Sequence, residues 1–193
     1  TSQSLYGNYK KSYQAALAVE ILHNFTLIHD DIMDNDSMRH GNKTLHEKWD
    51  IPLAILSGDS ILSLSLKVLT DYGYNASIIN TFINGLVTVC EGQALDKEFE
   101  NKNTISNKEY LSMIEKKTSH LLAMSIKIGA MCYECPENIT AKLFKFGLMI
   151  GQAFQIQDDL LEIMSNPNNM KKSLDSDIRL GKKTYPIIVC RQI

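Results

Sequence analysis

Apolar positions recur along most of the chain at helical spacing, and polar punctuation divides them into long segments. The first predicted helix runs from about Tyr9 to Met38. Ala15, Leu17, Ala18, Ile21, Leu22, Phe25 and Ile28 trace one apolar face of it, and Gly41 ends it. Pro52 suits the first turn of a second helix, reaching about Asp71, and a third covers Ser77 to about Glu100. "SNKE", from Ser106 to Glu109, reads as a capping box, because a serine and a glutamate at that spacing each satisfy a free backbone amide of the other. The helix it opens continues to Met131. Pro136 opens a fifth helix to about Met164; a polar loop follows, and Pro186 starts one more. No stretch alternates with period two over a useful length. The expected fold class is therefore all-α, a packed helical bundle forming a single domain over 1–193.

Two acidic stripes break the apolar pattern. In "HDDIMDNDSMRHG", Asp30 and Asp34 lie one turn apart on one helix face with Asp31 beside them. Like charges at that spacing repel by roughly a few tenths of a kcal/mol in water. The cost grows beside apolar neighbours unless a cation compensates. In "GQAFQIQDDLLEIM", Gln155, Asp158, Asp159 and Glu162 form a second polar stripe between apolar Phe154, Ile156, Leu160, Leu161 and Ile163. One such cluster alone reads equally well as a solvated helix end. Two facing each other across a bundle would form a cage of hard oxygen ligands suited to Mg2+, which commonly shares such sites with substrate phosphates. Basic residues stand nearby: Arg39 and His40, then Lys116 and Lys117 with Thr118, then Lys171, Lys172, Arg179, Lys182 and Lys183. Singly each is an ordinary surface charge. Together they read as a diphosphate clamp.

Composition narrows the field. The 193 residues are 44% hydrophobic and 22% charged with net charge -2, enough for one sizeable core and without the basic excess that a nucleic-acid partner would favour. No apolar run approaches the ~20 residues of a membrane span, and no secretory signal opens the chain, so a cytoplasmic protein is expected. Four cysteines are too few for a disulfide framework, and Cys132 and Cys135 read as free thiols despite their CxxC spacing. The chain opens without methionine and stops where an apolar helix has just begun, so a core fragment of a longer domain is expected.

These motifs resemble those of the trans-isoprenyl diphosphate synthases (polyprenyl synthetases), in particular archaeal-type farnesyl and geranylgeranyl diphosphate synthases. "DDIMD" matches the first aspartate-rich motif, with Arg39-His40-Gly41 where the family has Arg-Arg-Gly. "FQIQDD" followed by "LLE" matches the second, with Glu162 where a third aspartate is usual. "GQALDKEFE", "YLSMIEKKT" and "SDIRLGKKTYP" resemble the signatures between and after them, in order, from about Ala15 to Ile188.

The resemblance implies an isoprenoid-synthase helical bundle around a central cavity, truncated at both ends. It implies a prenyltransferase that joins isopentenyl diphosphate to an allylic diphosphate and acts as a homodimer. Three Mg2+ ions would be held by Asp30, Asp34 and Asp158, supported by Asp31, Asp159 and Glu162, with Lys117 completing the catalytic set. Arg39, Lys117, Thr118, Gln155, Lys172 and Lys182 would hold the allylic substrate, His23 and His40 would touch isopentenyl diphosphate, and Phe25 and Thr26 would set chain length. An upstream Gly-Gly-Lys-x-x-Arg motif would precede residue 1. A class I terpene cyclase, or a non-catalytic partner subunit of a heteromeric prenyl synthase, remain the alternatives.

Overall fold

The computed structural model describes residues 1–164 and 183–190, excluding the side chains of Glu162 and Ile163. A short helix α1 (Ser2–Tyr6) and a tight turn (Lys10–Ser12) lead into α2 (Tyr13–Asp34). A small hairpin of β1 (Met38–Arg39) and β2 (Asn42–Lys43) is followed by the single-turn α3 (Leu45–Lys48). Then come α4 (Ile51–Tyr72) and α5 (Ala76–Glu100). The next segment is α6 (Asn107–Ile114), a wider π-helical turn (Glu115–Ser119) and α7 (His120–Met131). The long α8 (Glu137–Met164) and α9 (Tyr185–Cys190) complete the described elements. The all-α expectation holds, with one exception.

That exception is the end of the first helix. It stops at Asp34 rather than Met38, because Asn35 turns left-handed (φ 55°). The amides of Asn35 and Asp36 then bond back to Ile32 O at 3.3 Å and Asp31 O at 2.9 Å, the paired pattern that closes a helix C-terminus. Beyond it, β1 pairs antiparallel with β2, Met38 opposite Lys43 and Arg39 opposite Asn42. His40 and Gly41 both adopt positive φ (50° and 80°), the backbone of a two-residue turn whose twist suits a hairpin. The hairpin folds Arg39 back toward the end of α2.

Ala15, Ala18, Leu22 and Phe25 of α2 meet Leu69 of α4, Ile78 and Phe82 of α5, and Met124 and Ile128 of α7 in the main core. A second cluster, with Phe99, Ile105, Tyr110, Met113, Ile114 and Ile188, lies at the end where α5, α6 and α9 meet. Around the π-helical turn, backbones approach closely because small residues permit it. A Cβ added to Gly92 on α5 would lie 2.2 Å from the Lys117 backbone nitrogen, and one on Gly151 of α8 would lie 2.3 Å from Ser119 Cα.

α4 corrects another expectation. Its 22 residues are long and apolar enough, by length and composition, to cross a membrane. Serines break the apolar run when it is read residue by residue. Each one's hydroxyl donates to a carbonyl about a turn back, Ser57 to Leu53 at 2.7 Å and Ser60 to Leu56 at 2.8 Å, so their polarity is spent inside the helix. α4 packs along α2 on one side and exposes Ile55, Leu56 and Leu64 on the other.

Candidate active site

The last two turns of α2 carry Asp30, Asp31 and Asp34, and each carboxylate meets a basic side chain from a different element. Arg39, brought back by the hairpin, donates from Nε at 2.7 Å and Nη2 at 2.6 Å to the same oxygen of Asp31. Its Nη2 also lies 3.9 Å from Asp30. Burial pushes the Asp31 carboxyl above the usual carboxylate range, against the pull of the Arg39 hydrogen bonds. Lys117, on the π-helical turn, places Nζ 2.5 Å from Asp96 and 3.3 Å from Asp30. Turns of this kind inside helices recur at functional sites. Here the turn projects Lys117 toward α2 and Thr118 toward α8.

Lys97 of α5 completes the set. Its ammonium donates to Asp34 at 3.2 Å, to the Met33 carbonyl at 3.0 Å and to Glu100 at 2.7 Å. Burial pulls its pKa down, but the hydrogen bonds to Glu100 and Asp34 outweigh that and hold it above the ordinary lysine value. Asp96, Lys97 and Glu100 are absent from the residues predicted above. Their signal lay in "GQALDKEFE", where Gln93, Asp96, Lys97 and Glu100 fall at i, i+3, i+4 and i+7, a charged stripe on one face of a core helix. Gln93 keeps its Nε2 buried with no hydrogen-bond partner.

The carboxylates of the second motif sit in different surroundings. Asp159 is buried, whereas Asp158 next to it is exposed. One Asp159 oxygen accepts from the Tyr110 hydroxyl at 2.7 Å and the Tyr185 backbone N–H at 2.8 Å; the other accepts from Gln155 at 2.9 Å. Burial, reinforced by Asp159, raises the Tyr110 hydroxyl far above its usual pKa, so it remains a donor. Thr118 donates to Gln155 Oε1 at 2.8 Å, which links the π-helical turn to Asp159 through one amide. Of the apolar residues that flank the stripe, Phe154, Leu160 and Leu161 are exposed.

Among the described residues no three His, Cys, Asp or Glu side chains converge as a metal-binding group. The donor chemistry of the first motif nonetheless fits Mg2+. Asp30 and Asp34 share a helix face one turn apart, offer hard carboxylate oxygens and already hold cations.

The remaining predicted residues are scattered along the same elements. His23 and Thr26 are half-buried on α2, where Thr26 donates to the His23 carbonyl at 2.7 Å. Phe25 is buried in the core with its ring 4.6 Å from that of His29. His40 is exposed at the hairpin turn. The Glu162 side chain, Lys172 and Lys182 lie outside the described residues, as do Lys171 and Arg179. Cys132 and Cys135 are free thiols, and burial pushes Cys132 up to about 11.

Comparison with known proteins settles the affiliation. The family model described as Polyprenyl synthetase matches residues 2–192. The chain belongs to the polyprenyl synthetase family. This polyprenyl synthetase chain is 40% identical to geranylgeranyl diphosphate synthase of Saccharolobus solfataricus across 97% of its length, and spans 58% of that protein. It superposes on geranylgeranyl pyrophosphate synthetase from Geoglobus acetivorans with a TM-score of 0.87 at 38% identity, covering 96% of this chain and 59% of that one. A Helicobacter pylori geranyltransferase, solved with magnesium and isoprenyl diphosphate, gives a TM-score of 0.81 at 30% identity, covering 96% and 64%. The chain thus spans about three fifths of the length of these polyprenyl synthetases.

Proposed function

We propose that the protein is a prenyltransferase that joins isopentenyl diphosphate head-to-tail, 1′–4, to an allylic diphosphate and releases a short all-trans prenyl diphosphate, geranylgeranyl or farnesyl. The observation that carries this reading is the arrangement around α2. Asp30 and Asp34 share a face, and Lys117 bridges Asp30 to Asp96. Three Mg2+ ions, held by Asp30, Asp34 and Asp158 with Asp31, Asp159 and Glu162 in support, would draw charge from the departing diphosphate as Lewis acids.

Around that diphosphate, Lys117 would supply a fixed positive charge, and Thr118 and Gln155 polar contacts. Arg39, Lys172 and Lys182 would add further cationic donors. His23 and His40 would meet isopentenyl diphosphate. The apolar side chains of α2 would keep water from the allylic cation, with Phe25 and Thr26 bounding the space into which the product grows. A homodimer fits the apolar side chains that α4 exposes, and a cytoplasmic setting fits the free thiols. Incubating the full-length protein with Mg2+, isopentenyl diphosphate and a series of allylic primers tests the reading. Elongated products are expected; no product from any primer, or a product formed without isopentenyl diphosphate, overturns it.

Two predictions belong to this reading. The imidazole of His40 offers fewer donors than the guanidinium of the arginine expected there. His40→Arg should lower KM for isopentenyl diphosphate by about threefold to tenfold with kcat little changed, a gain of about 1 kcal/mol. Initial-rate kinetics check it, and an unchanged KM counts against His40 as a substrate contact. Phe25→Ala should shift product length upward by at least one isoprene unit, read by chromatography of the dephosphorylated products. Unchanged length would leave Phe25 as core packing against His29 alone.

A further inference from the structure

The three cation pairs of the first motif differ in kind. Two N–H groups of Arg39 converge on one oxygen of Asp31, a carboxylate only 7% exposed. Lys117 divides itself between Asp30 and Asp96. Lys97 uses all three of its N–H bonds on oxygen: the Asp34 carboxylate, the Met33 carbonyl and the Glu100 carboxylate. Two carboxylates and a carbonyl are also the donor types that a hard divalent cation takes. The Asp34 side chain is 2% exposed, a setting in which a carboxylate charge is costly and a nearby cation lowers that cost.

We propose that Lys97 is a resident counter-ion of the aspartate-rich turn, displaced from Asp34 when a divalent cation binds, so that Lys97 sets the metal concentration the site requires. This rests on the reading that Asp30 and Asp34 hold the metal. The displaced ammonium has a place to go. Its pair with Glu100 lies within α5 at 2.7 Å and does not depend on Asp34. A rotation of the lysine stem that keeps Glu100 and releases Asp34 is enough to open the carboxylate. A divalent ion carries twice the charge of the ammonium and wins at Asp34 once its concentration suffices. In its absence Lys97 keeps the end of α2 neutralised and folded.

The test is Mn2+ binding with inorganic diphosphate, followed by electron paramagnetic resonance on the full-length protein, in wild type and in Lys97→Met, Lys97→Arg, Glu100→Gln and Asp30→Asn. Lys97→Met removes the competitor and should lower the half-saturating Mn2+ concentration about fivefold, the equivalent of about 1 kcal/mol. Lys97→Arg should stay near wild type. Glu100→Gln leaves Asp34 as the ammonium's one carboxylate among the described residues and should raise the half-saturating concentration. Without metal, Lys97→Met should melt below wild type and gain more from saturating Mn2+ than wild type does. If Lys97→Met does not fold, Glu100→Gln decides the question. Asp30-dependent Mn2+ binding that neither Lys97→Met nor Glu100→Gln shifts overturns the role of Lys97 alone. Binding indifferent to Asp30→Asn overturns the proposed function itself.

Discussion

Asp30→Asn should slow prenyl transfer by about a thousandfold or more, roughly 4 kcal/mol of transition-state stabilisation, while the protein stays folded. The separation of the two effects follows from the partners. Asp30 is 23% exposed, and its partner Lys117 keeps Asp96 at 2.5 Å when Asp30 loses its charge, so no buried cation is stranded. The neighbouring Asp31 behaves in the opposite way. It is 7% exposed and receives two N–H groups of a mostly buried Arg39. Asp31→Asn leaves that guanidinium only the more distant Asp30 carboxylate, 3.9 Å away, and should cost about 3 kcal/mol of stability. Turnover at saturating Mg2+ and chemical denaturation, measured on both variants, separate the two roles. An Asp30→Asn enzyme within tenfold of wild type, or an Asp31→Asn protein as stable as wild type, contradicts the assignment.

The helices were legible because their ends obey local rules. Asn75 caps α5 by accepting from the Ile78 amide at 3.0 Å, and Ser106 and Glu109 form the predicted box at the start of α6. The hairpin after α2 was not legible, because two-residue strands are too short to show a period of two. Its turn residues His40 and Gly41 reveal themselves through backbone angles rather than composition. The π-helical turn was hidden for a related reason, since "EKKTS" reads like any polar helical turn. Within the site, the three aspartates stood out by their spacing, but their partners arrive from afar. Lys97 is 63 residues from Asp34, and Lys117 is 87 from Asp30. In the second motif, helical spacing groups residues by direction and says nothing of what waits there. Asp159 meets a tyrosine hydroxyl 49 residues away and is drawn inward, whereas Asp158 stays exposed.

Gly92→Ala should damage both stability and turnover. The new Cβ would lie 2.2 Å from Lys117 N, 2.6 Å from Lys117 Cα and 2.7 Å from Lys116 C, all of them backbone atoms that no rotamer change can move aside. α5 and the π-helical turn must then separate by about 1 Å or more to restore ordinary contact. Overpacking of this kind costs about 3 kcal/mol, well above the roughly 1 kcal/mol that alanine gains over glycine inside a helix. The same separation carries Lys117 away from Asp30, and a displacement of about 1 Å at a catalytic group costs on the order of a hundredfold in rate. Gly129→Ala is the matched control. The nearest atoms to its Cβ would be Thr1 and Ser2 side-chain atoms at 3.3 and 3.4 Å, so its stability should stay within about 1 kcal/mol of wild type. Urea denaturation and steady-state rates on the two variants decide the matter. Equal stability would mean that the contact between α5 and the turn is looser than the geometry implies, and equal rates would mean that Lys117 does not depend on it.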